Sequence, residues 1–465
     1  MNTALGDQDT SHGQNIPESS PSETNSLKGS KPDKQIPVLD GVRAIACLIV
    51  LSFHTNLFAR HYGVWLPLQK TTKIPVIFAL IEYFGDYFAD SGYVLFFLLS
   101  SFLLFLPYTK ALLFDSPWPG LRRFYLRRIF RILPGYYAAL FLIALFFHPE
   151  FLRYNHWHDL WLFLTFRMDY SLSQKLNSPF WTLAIEFQFY LLLPIIAWLL
   201  RPMVRRGTVG WRMLKLTFWL LIMTAWGLLT RYWGLFIAHT PKLDFLIPHS
   251  ISTGLIPFIY GDRGKYFEVF AVGMLLCMVY TYTQNSPLAE HWSIRMRRLS
   301  WLMFTSGLVL IFFLSLWHFY TVGIMSYYTE YHLIIKTSFD SYAPIIVACW
   351  SQWEVMAYAI GYGLCLWALL YGSPKLKRPF EWSVLRWVGM ISFSLYMWHF
   401  PFIDLFFASL INYSIRQQGL GPLVQYSILW CWVLIVIIPI SAMLYHWIER
   451  PSIRLGELLI RKLER

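Results

Sequence analysis

Ten long apolar runs alternate with shorter polar segments along this chain of 465 residues. A run of about 20 apolar residues is long enough to cross a hydrocarbon core of about 30 Å as a helix. The pattern therefore predicts an all-α polytopic membrane protein with about ten transmembrane helices. The runs that begin at 87 and 132 are short or interrupted by polar residues. The predicted spans are 41–58, 87–106, 132–148, 180–200, 214–237, 266–283, 300–320, 343–371, 387–411 and 423–447.

Composition and charge agree with this class of protein. The chain is 56% hydrophobic and 14% charged, and its mean hydropathy is +0.45. A net charge of +13 can indicate a nucleic-acid partner, but the basic residues follow the predicted topology. With the amino terminus inside, the cytoplasmic segments hold 26 Lys and Arg residues and the external segments hold 12. This bias predicts that both termini are cytoplasmic, that the basic residues contact membrane lipids, and that no nucleic acid is bound.

The polar ends of the chain define the predicted domain boundaries. Residues 1–35 are rich in Ser, Pro, Asn and Gly, which predicts a disordered cytoplasmic tail. Residues 36–455 form the predicted transmembrane domain, and 456–465 form a short basic cytoplasmic tail. The five cysteines show no paired spacing, and the His156–Asp159 segment has no further ligand nearby, so we expect no metal site and no permanently bound cofactor.

The first span carries an arginine near its start and a histidine near its end. His54 lies eleven positions after Arg43, so both side chains project from nearly the same face of a helix, about 16 Å apart along its axis. His54 then lies in the outer half of the membrane. Ionisable groups are costly in lipid, so we interpret His54 as a functional residue.

Two later spans carry ionisable residues at similar depths. Glu186 lies about 8 Å below the outer surface, and His54 about 10 Å below it, so this carboxylate could orient the imidazole. Glu186 could instead pair with a buried arginine or a tyrosine hydroxyl. His399 lies about 18 Å from the inner end of the ninth span, where it could line the same site or satisfy a carbonyl freed by Pro401.

A positive strip precedes the third span. Arg123, Arg127 and Arg131 recur at i, i+4 and i+8, and Arg128 adds a fourth charge beside them. The strip lies at the amino-terminal, cytoplasmic end of a helix, where anions are favoured, so it suits a phosphate-rich ligand. Charge alone favours the alternative that it holds lipid headgroups.

Six motifs in this order resemble the acyltransferase-3 family of integral membrane acyltransferases over residues 36–455. The motifs are LDGVRAIACLIVLSFH, FFLLSSFLL, FYLRRIFRILPGYY, FWTLAIEFQFYLLLP, FSLYMWHFPF and WIERP. The resemblance implies that Arg43 and His54 are an essential pair and that acyl-CoA, usually acetyl-CoA, is the co-substrate, entering from the cytoplasm. It implies a basic donor site at Arg127, Arg128 and Arg131. It also matches the W-S-L-x-x-E segment to Trp181 and Glu186.

One position departs from the family pattern. Ser101 stands where the family commonly has glycine, and its hydroxymethyl group could narrow the space for the acyl chain or acceptor. We expect Ser101, Trp181 and His399 to line the site.

The residues and the resemblance together predict an O-acyltransferase of the plasma membrane, in a bacterium the inner membrane. The acyl group would pass from cytoplasmic acyl-CoA to a hydroxyl of a cell-surface glycan, a lipid or a small molecule, either directly or through an acyl-enzyme. His54 would be the general base, Glu186 would orient it, and Arg43 would assist. The alternative is a proton-coupled exporter of a glycan or lipid precursor, using His54 and Glu186 as a proton relay. An exporter does not need the arginine strip.

Overall fold

The computed structural model describes residues 36–64, 88–169, 176–238, 249–287, 289–324, 343–409 and 420–464. The compact unit that contains the helices is Pro37–Arg465. Its described residues form helices and turns, and none of them is in a β-strand. The all-α prediction is therefore confirmed. The predicted tail 1–35 lies outside the described residues.

Fifteen α-helices follow one another in the described parts of the chain. Turns of 3-10 helix precede α2 at Ala89–Ser91, and π-helical turns continue several of the helices. The helices are α1 Pro37–His61, α2 Gly92–Phe114, α3 Leu121–Phe146, α4 Trp157–Leu164, α5 Phe180–Val204, α6 Val209–Tyr232, α7 His249–Ile259, α8 Phe267–Asn285, α9 Ala289–His318, α10 Ala343–Tyr371, α11 Pro374–Lys377, α12 Ser383–Leu405, α13 Pro422–Trp432, α14 Ile438–Leu444 and α15 Arg450–Leu463.

Within the described residues, ten helical stretches are long and apolar enough to cross a membrane. They coincide with the ten predicted spans, including the two interrupted ones, which are Ala89–Phe114 and Leu121–Phe146. Inner and outer denote the two ends of the bundle, which the predicted topology places at the cytoplasm and the exterior. α3 begins eleven residues before the predicted start at 132, because arginine and leucine are good helix formers. The arginine strip therefore belongs to the helix itself.

α1 and α12 pack closely along a seam that repeats every seven residues of α1. At the inner end, a Cβ atom on Gly389 would overlap the backbone carbonyl of Asp40, so the glycine permits this approach. One step outward, the Cys47 thiol donates to the Ser392 carbonyl at 3.5 Å. The next step of seven residues brings α1 to His54. The seam thus places His54 against the outer half of α12.

Prolines inside two helices free carbonyl groups that other helices or loops satisfy. Pro401 leaves the Met397 carbonyl without its helical donor, and Asn177 Nδ2 donates to that oxygen at 2.9 Å. The alternative that His399 satisfies the freed carbonyl is therefore wrong. Pro134 in α3 has the same effect on the Phe130 carbonyl, which accepts from the Ser452 hydroxyl of α15 at 2.8 Å.

The predicted basic tail 456–465 is helical up to Leu463, as part of α15. This helix packs against α3, where Gly456 lies against the Phe130 ring. At its end, Glu464 forms an ion pair with Arg123 at 3.4 Å. The first arginine of the strip is therefore engaged with the carboxyl-terminal helix.

Candidate active site

His54 and His399 meet in the outer half of the bundle. His54 is 8% exposed and His399 is 1% exposed. His399 Nε2 lies 3.1 Å from His54 Nδ1, and the ring centroids are 4.9 Å apart. The sequence predicted both residues at the site, and the structure brings them into direct contact.

The partners of the two rings fix their tautomers when both are neutral. His399 Nδ1 lies 3.1 Å from the Leu395 carbonyl and His54 Nδ1 lies 3.0 Å from the Val50 carbonyl. A carbonyl oxygen only accepts, so each Nδ1 carries the proton. His399 Nε2 then accepts from His54 Nδ1–H, and the lone pair of His54 is on Nε2. Among the described residues, His54 Nε2 has no hydrogen-bond partner.

Aromatic rings pack against the two imidazole rings. The Phe53 and Phe400 rings meet the His54 ring edge to face, with centroid distances of 5.1 and 5.4 Å. The ring of Tyr396 lies 5.7 Å from that of His399, and its hydroxyl bonds Thr182 of α5. Apolar walls of this kind exclude water and strengthen electrostatic interactions inside the site.

Glu186 forms hydrogen bonds to hydroxyl groups and not to His54. Its Oε1 accepts from the hydroxyls of Ser100 on α2 and Tyr190 on α5. Within the described residues no hydrogen bond joins Glu186 to His54, and the imidazole that orients His54 is that of His399. Equal depth did not imply contact, since depth says nothing about the direction in which a helix presents its side chain. Of the two alternatives given for Glu186, a buried arginine or a tyrosine hydroxyl, the structure shows the hydrogen bond to a tyrosine hydroxyl, that of Tyr190.

Three of the four predicted arginines gather inward of the histidine pair. Arg43, Arg128 and Arg131 interact electrostatically with one another, and the first two also interact with Glu186 and Tyr190. The Arg128 guanidinium lies 5.8 Å from the centroid of the Tyr190 ring. Arg43 forms an ion pair with Asp40 at 3.2 Å. The predicted depth difference between Arg43 and His54 thus separates a cationic cluster from the histidine pair.

The fourth predicted arginine lies apart from this cluster. Arg127 is exposed on α3, and no ion pair or hydrogen bond to another described residue is present. Arg131 is also exposed at the surface but interacts electrostatically with Glu449, whose carboxylate accepts from the Ser394 hydroxyl of α12. The WIERP and FSLY motifs, which contain Glu449 and Ser394, therefore meet beside the arginine cluster.

Trp181 lies on the outer side of the site. The guanidinium of Arg263 lies over its ring at 5.2 Å, and Tyr93 of α2 meets it edge to face at 5.2 Å. Arg263 also interacts electrostatically with His54. Tyr266 is buried, and its ring centroid lies 5.8 Å from that of Trp181.

Ser101 faces a helix interface. Its hydroxyl donates to the Leu98 carbonyl at 3.0 Å, and a Cβ atom on Gly273 of α8 would overlap it. The expectation that Ser101 lines the site is therefore wrong, because Gly273 supplies the space that its hydroxymethyl group occupies. The neighbouring Ser100 is the serine that contacts Glu186.

Four residues at the site were not predicted from the sequence: Ser100, Tyr190, Tyr396 and Arg263. Two of them carry a local signal, because Tyr190 follows Glu186 by four residues and Tyr396 precedes His399 by three, which are helical neighbour spacings. Arg263 has no such signal. Its loop is fixed by distant contacts, in which Lys265 donates to Asp169 and Arg231 Nη1 donates to the Arg263 carbonyl at 3.2 Å.

Comparisons with known proteins agree on one family. The family model described as an acyltransferase domain matches residues 36–446. The peptidoglycan O-acetyltransferase OatA of Listeria monocytogenes is 24% identical over 401 residues, which are 80% of this chain and 50% of that protein. The putative peptidoglycan O-acetyltransferase YrhL of Bacillus subtilis is 24% identical over 435 residues, 90% of this chain and 55% of that protein. The chain spans about half the length of these curated relatives. No solved structure matches it.

Proposed function

This chain belongs to the acyltransferase-3 family, and we propose that it is a membrane O-acyltransferase. It would move an acetyl group from cytoplasmic acetyl-CoA to a hydroxyl of a cell-wall glycan. The two relatives are peptidoglycan O-acetyltransferases by name, which supports a glycan acceptor and an acetyl group. The observation that carries the proposal is the buried histidine pair, in which His54 Nε2 holds a lone pair and His399 fixes the opposite nitrogen.

The donor site in this proposal is the cationic cluster of Arg43, Arg128 and Arg131. Three guanidinium groups suit the phosphates of CoA, because charge-assisted hydrogen bonds to phosphate are among the strongest in proteins. Glu186 balances part of this charge and, through Ser100 and Tyr190, holds α2 and α5 at a fixed separation. The phosphates would bind at the inner side.

The thioester would lie next to His54. Helix rise places this side chain about 16 Å outward of Arg43 along α1. The extended arm of CoA would cover that distance, with its sulfur at the outer end. The acceptor would enter from the opposite side, past Arg263 and Trp181. This arrangement explains why the ionisable residues form an inner cationic group and an outer imidazole pair.

The reaction then needs one proton carrier. His54 Nε2 accepts the proton of the acceptor hydroxyl while that oxygen attacks the thioester carbonyl carbon. The carbon–sulfur bond breaks as the tetrahedral intermediate collapses, and His54 returns the proton to the sulfur, so the products are an ester and free CoA. The imidazolium formed in between is stabilised by the two acceptors at its Nδ1, His399 Nε2 and the Val50 carbonyl.

Inverted membrane vesicles provide the test. Acetyl-CoA labelled on the acetyl group is added outside, where the cytoplasmic face is exposed, and glycan fragments are enclosed in the lumen. We expect label in the luminal glycan with wild-type protein and none without it. The exporter would be supported instead if no label reached the glycan while an unmodified precursor crossed the membrane.

A further inference from the structure

A groove of about 370 Å³ opens at the inner end of the bundle, on the side away from the arginine strip of α3 in the sequence. It lies where α8 and α10 end and where α9 and α11 begin. Among the described residues that line it, Arg297 of α9 and Lys377 of α11 are charged, and none is acidic. We propose that this groove binds the phosphate group of an anionic membrane phospholipid, with Arg297 and Lys377 as its cationic partners.

The two cations of the groove are close enough to repel each other. Burial lowers the pKa of the partly buried Lys377 ammonium, Glu381 opposes this shift, and Arg297 adds to it. Glu381 is not among the residues that line the groove. Like charges that share a site are favoured when an opposite charge lies between them. An anion in the groove would therefore compensate for the mutual repulsion of Arg297 and Lys377.

Both cations keep hydrogen-bond donors for such an anion. Lys377 Nζ donates to the Leu370 carbonyl at 3.1 Å, which leaves two of its three N–H groups. The Arg297 guanidinium forms no hydrogen bond or ion pair with another residue in the described part of the chain. Charge-assisted hydrogen bonds from arginine and lysine to phosphate oxygens are among the strongest in proteins. The lining therefore suits a phosphate group.

The depth of Arg297 matches the level of lipid phosphates. The apolar run of this span begins at Ser300, and Arg297 precedes it by three residues, or about 4.5 Å along the helix. The headgroup region extends roughly 5 to 7 Å beyond each side of the hydrocarbon core. Basic pockets between helices at the cytoplasmic surface are typical binding sites for lipid headgroups. The guanidinium is therefore placed to reach a phosphate of the inner leaflet.

An apolar stripe on α9 leads outward from the groove and favours a lipid over a free phosphate. Ile294 lines the groove, and Trp301 and Leu308 follow it at intervals of seven residues, so the three share one face of the helix. Their side chains are 48%, 51% and 45% exposed. In a membrane this face contacts acyl chains. A phospholipid would therefore place its phosphate in the groove and its chains along the stripe, whereas a free phosphate would use the groove alone.

The lipid would also support the start of α1. The Phe380 amide donates to the Lys377 carbonyl at 2.9 Å, and a Cβ atom on Gly41 of α1 would overlap the Phe380 carbonyl. The short segment from Lys377 to Phe380 thus connects the groove to α1. A phosphate that binds both Lys377 and Arg297 would hold this segment to α9. The role is structural, and no step of acyl transfer passes through the lipid.

The test is lipid binding by the full chain, purified in a neutral detergent and stripped of lipid. Phosphatidylglycerol is added back, and bound molecules are counted by native mass spectrometry. We expect the tightest site to be weakened at least about tenfold in the double variant Arg297→Gln with Lys377→Gln. The double variant Arg298→Gln with Lys375→Gln is the matched control, since it removes the same two charges from exposed neighbouring positions outside the groove. It should bind as wild type does.

Thermal unfolding identifies the source of the phosphate. Phosphatidylglycerol should raise the melting temperature of wild type and of the control variant, and should raise that of Arg297→Gln with Lys377→Gln much less. Phosphatidylcholine, which carries a phosphate but no net charge, should stabilise wild type less than phosphatidylglycerol. An equal rise with sodium phosphate would overturn the lipid assignment. Equal binding of phosphatidylglycerol by the two double variants would overturn the site.

Discussion

His399 Nε2 contacts His54 Nδ1 at 3.1 Å across 345 positions of the sequence. This contact predicts that His399 is a positioning residue that acts through His54. His399→Leu removes the acceptor, so His54 loses its fixed tautomer, and we expect the acetyl-transfer rate to fall at least about tenfold, a share of the roughly 10² to 10⁴ that a general base contributes. His399→Gln keeps an acceptor and should lose less. The measurement is kcat with saturating acetyl-CoA. Equal losses in the two variants would contradict the role.

Arg128 should contribute to donor binding. Its guanidinium lies in the cationic cluster beside Glu186 and Tyr190, whereas Arg122 is exposed at the start of α3. Removing one charge-assisted hydrogen bond to a phosphate costs about 1.5 to 3 kcal/mol, roughly a tenfold to 150-fold loss of affinity. We therefore expect Arg128→Gln to raise the Kd for CoA by that factor, measured by calorimetry. Arg122→Gln is the matched control. If the Kd changed equally in both variants, the arginines would be interpreted as binding lipid headgroups and not CoA.

Glu186 can be distinguished from His399 by pH dependence. Glu186 accepts hydrogen bonds from Ser100 and Tyr190 and forms none with His54. Glu186→Gln should therefore lower the transfer rate without moving the pH at which activity rises, whereas His399→Leu should move it. The measurement is the pH profile of kcat/KM for the three proteins. A shift of the profile in Glu186→Gln would restore the orienting role that the sequence predicted for this carboxylate.

The packing of Ser101 against Gly273 predicts a compensating pair. Gly273→Ala adds a Cβ atom that overlaps the Ser101 hydroxyl and approaches the Leu98 carbonyl, and overpacking of this kind costs about 1 to 3 kcal/mol. We expect a lower melting temperature in Gly273→Ala and partial recovery when Ser101→Gly is added. Ser101→Gly alone should not change the preferred acyl chain length. A change in the preferred acyl chain length would show that Ser101 lines the site.

Most of the fold followed from the hydrophobic pattern, because a membrane requires long apolar helices and the pattern records them directly. The helix ends were less accurate. α3 starts at Leu121 because arginines continue a helix as well as leucines do, and a search for apolar runs stops at the first charge.

The sequence identified most residues of the site but not which of them contact one another. His54, His399, Arg43 and Glu186 stood out because an ionisable residue in a span is rare. Their pairing depends on how each helix is rotated about its axis. For α1 and α12 this rotation is set by the contacts that recur every seven residues of α1 and by the close approach at Gly389.

In the proposed mechanism, His54 is the base for acyl transfer. The most direct measurement is transfer of labelled acetyl groups by His54→Ala, compared with CoA binding by the same protein and with His446→Ala, an exposed histidine, as control. We expect a loss of about 10² to 10⁴ in rate with unchanged CoA affinity, since the donor phosphates would bind about 16 Å away. Near-normal transfer by His54→Ala would contradict it.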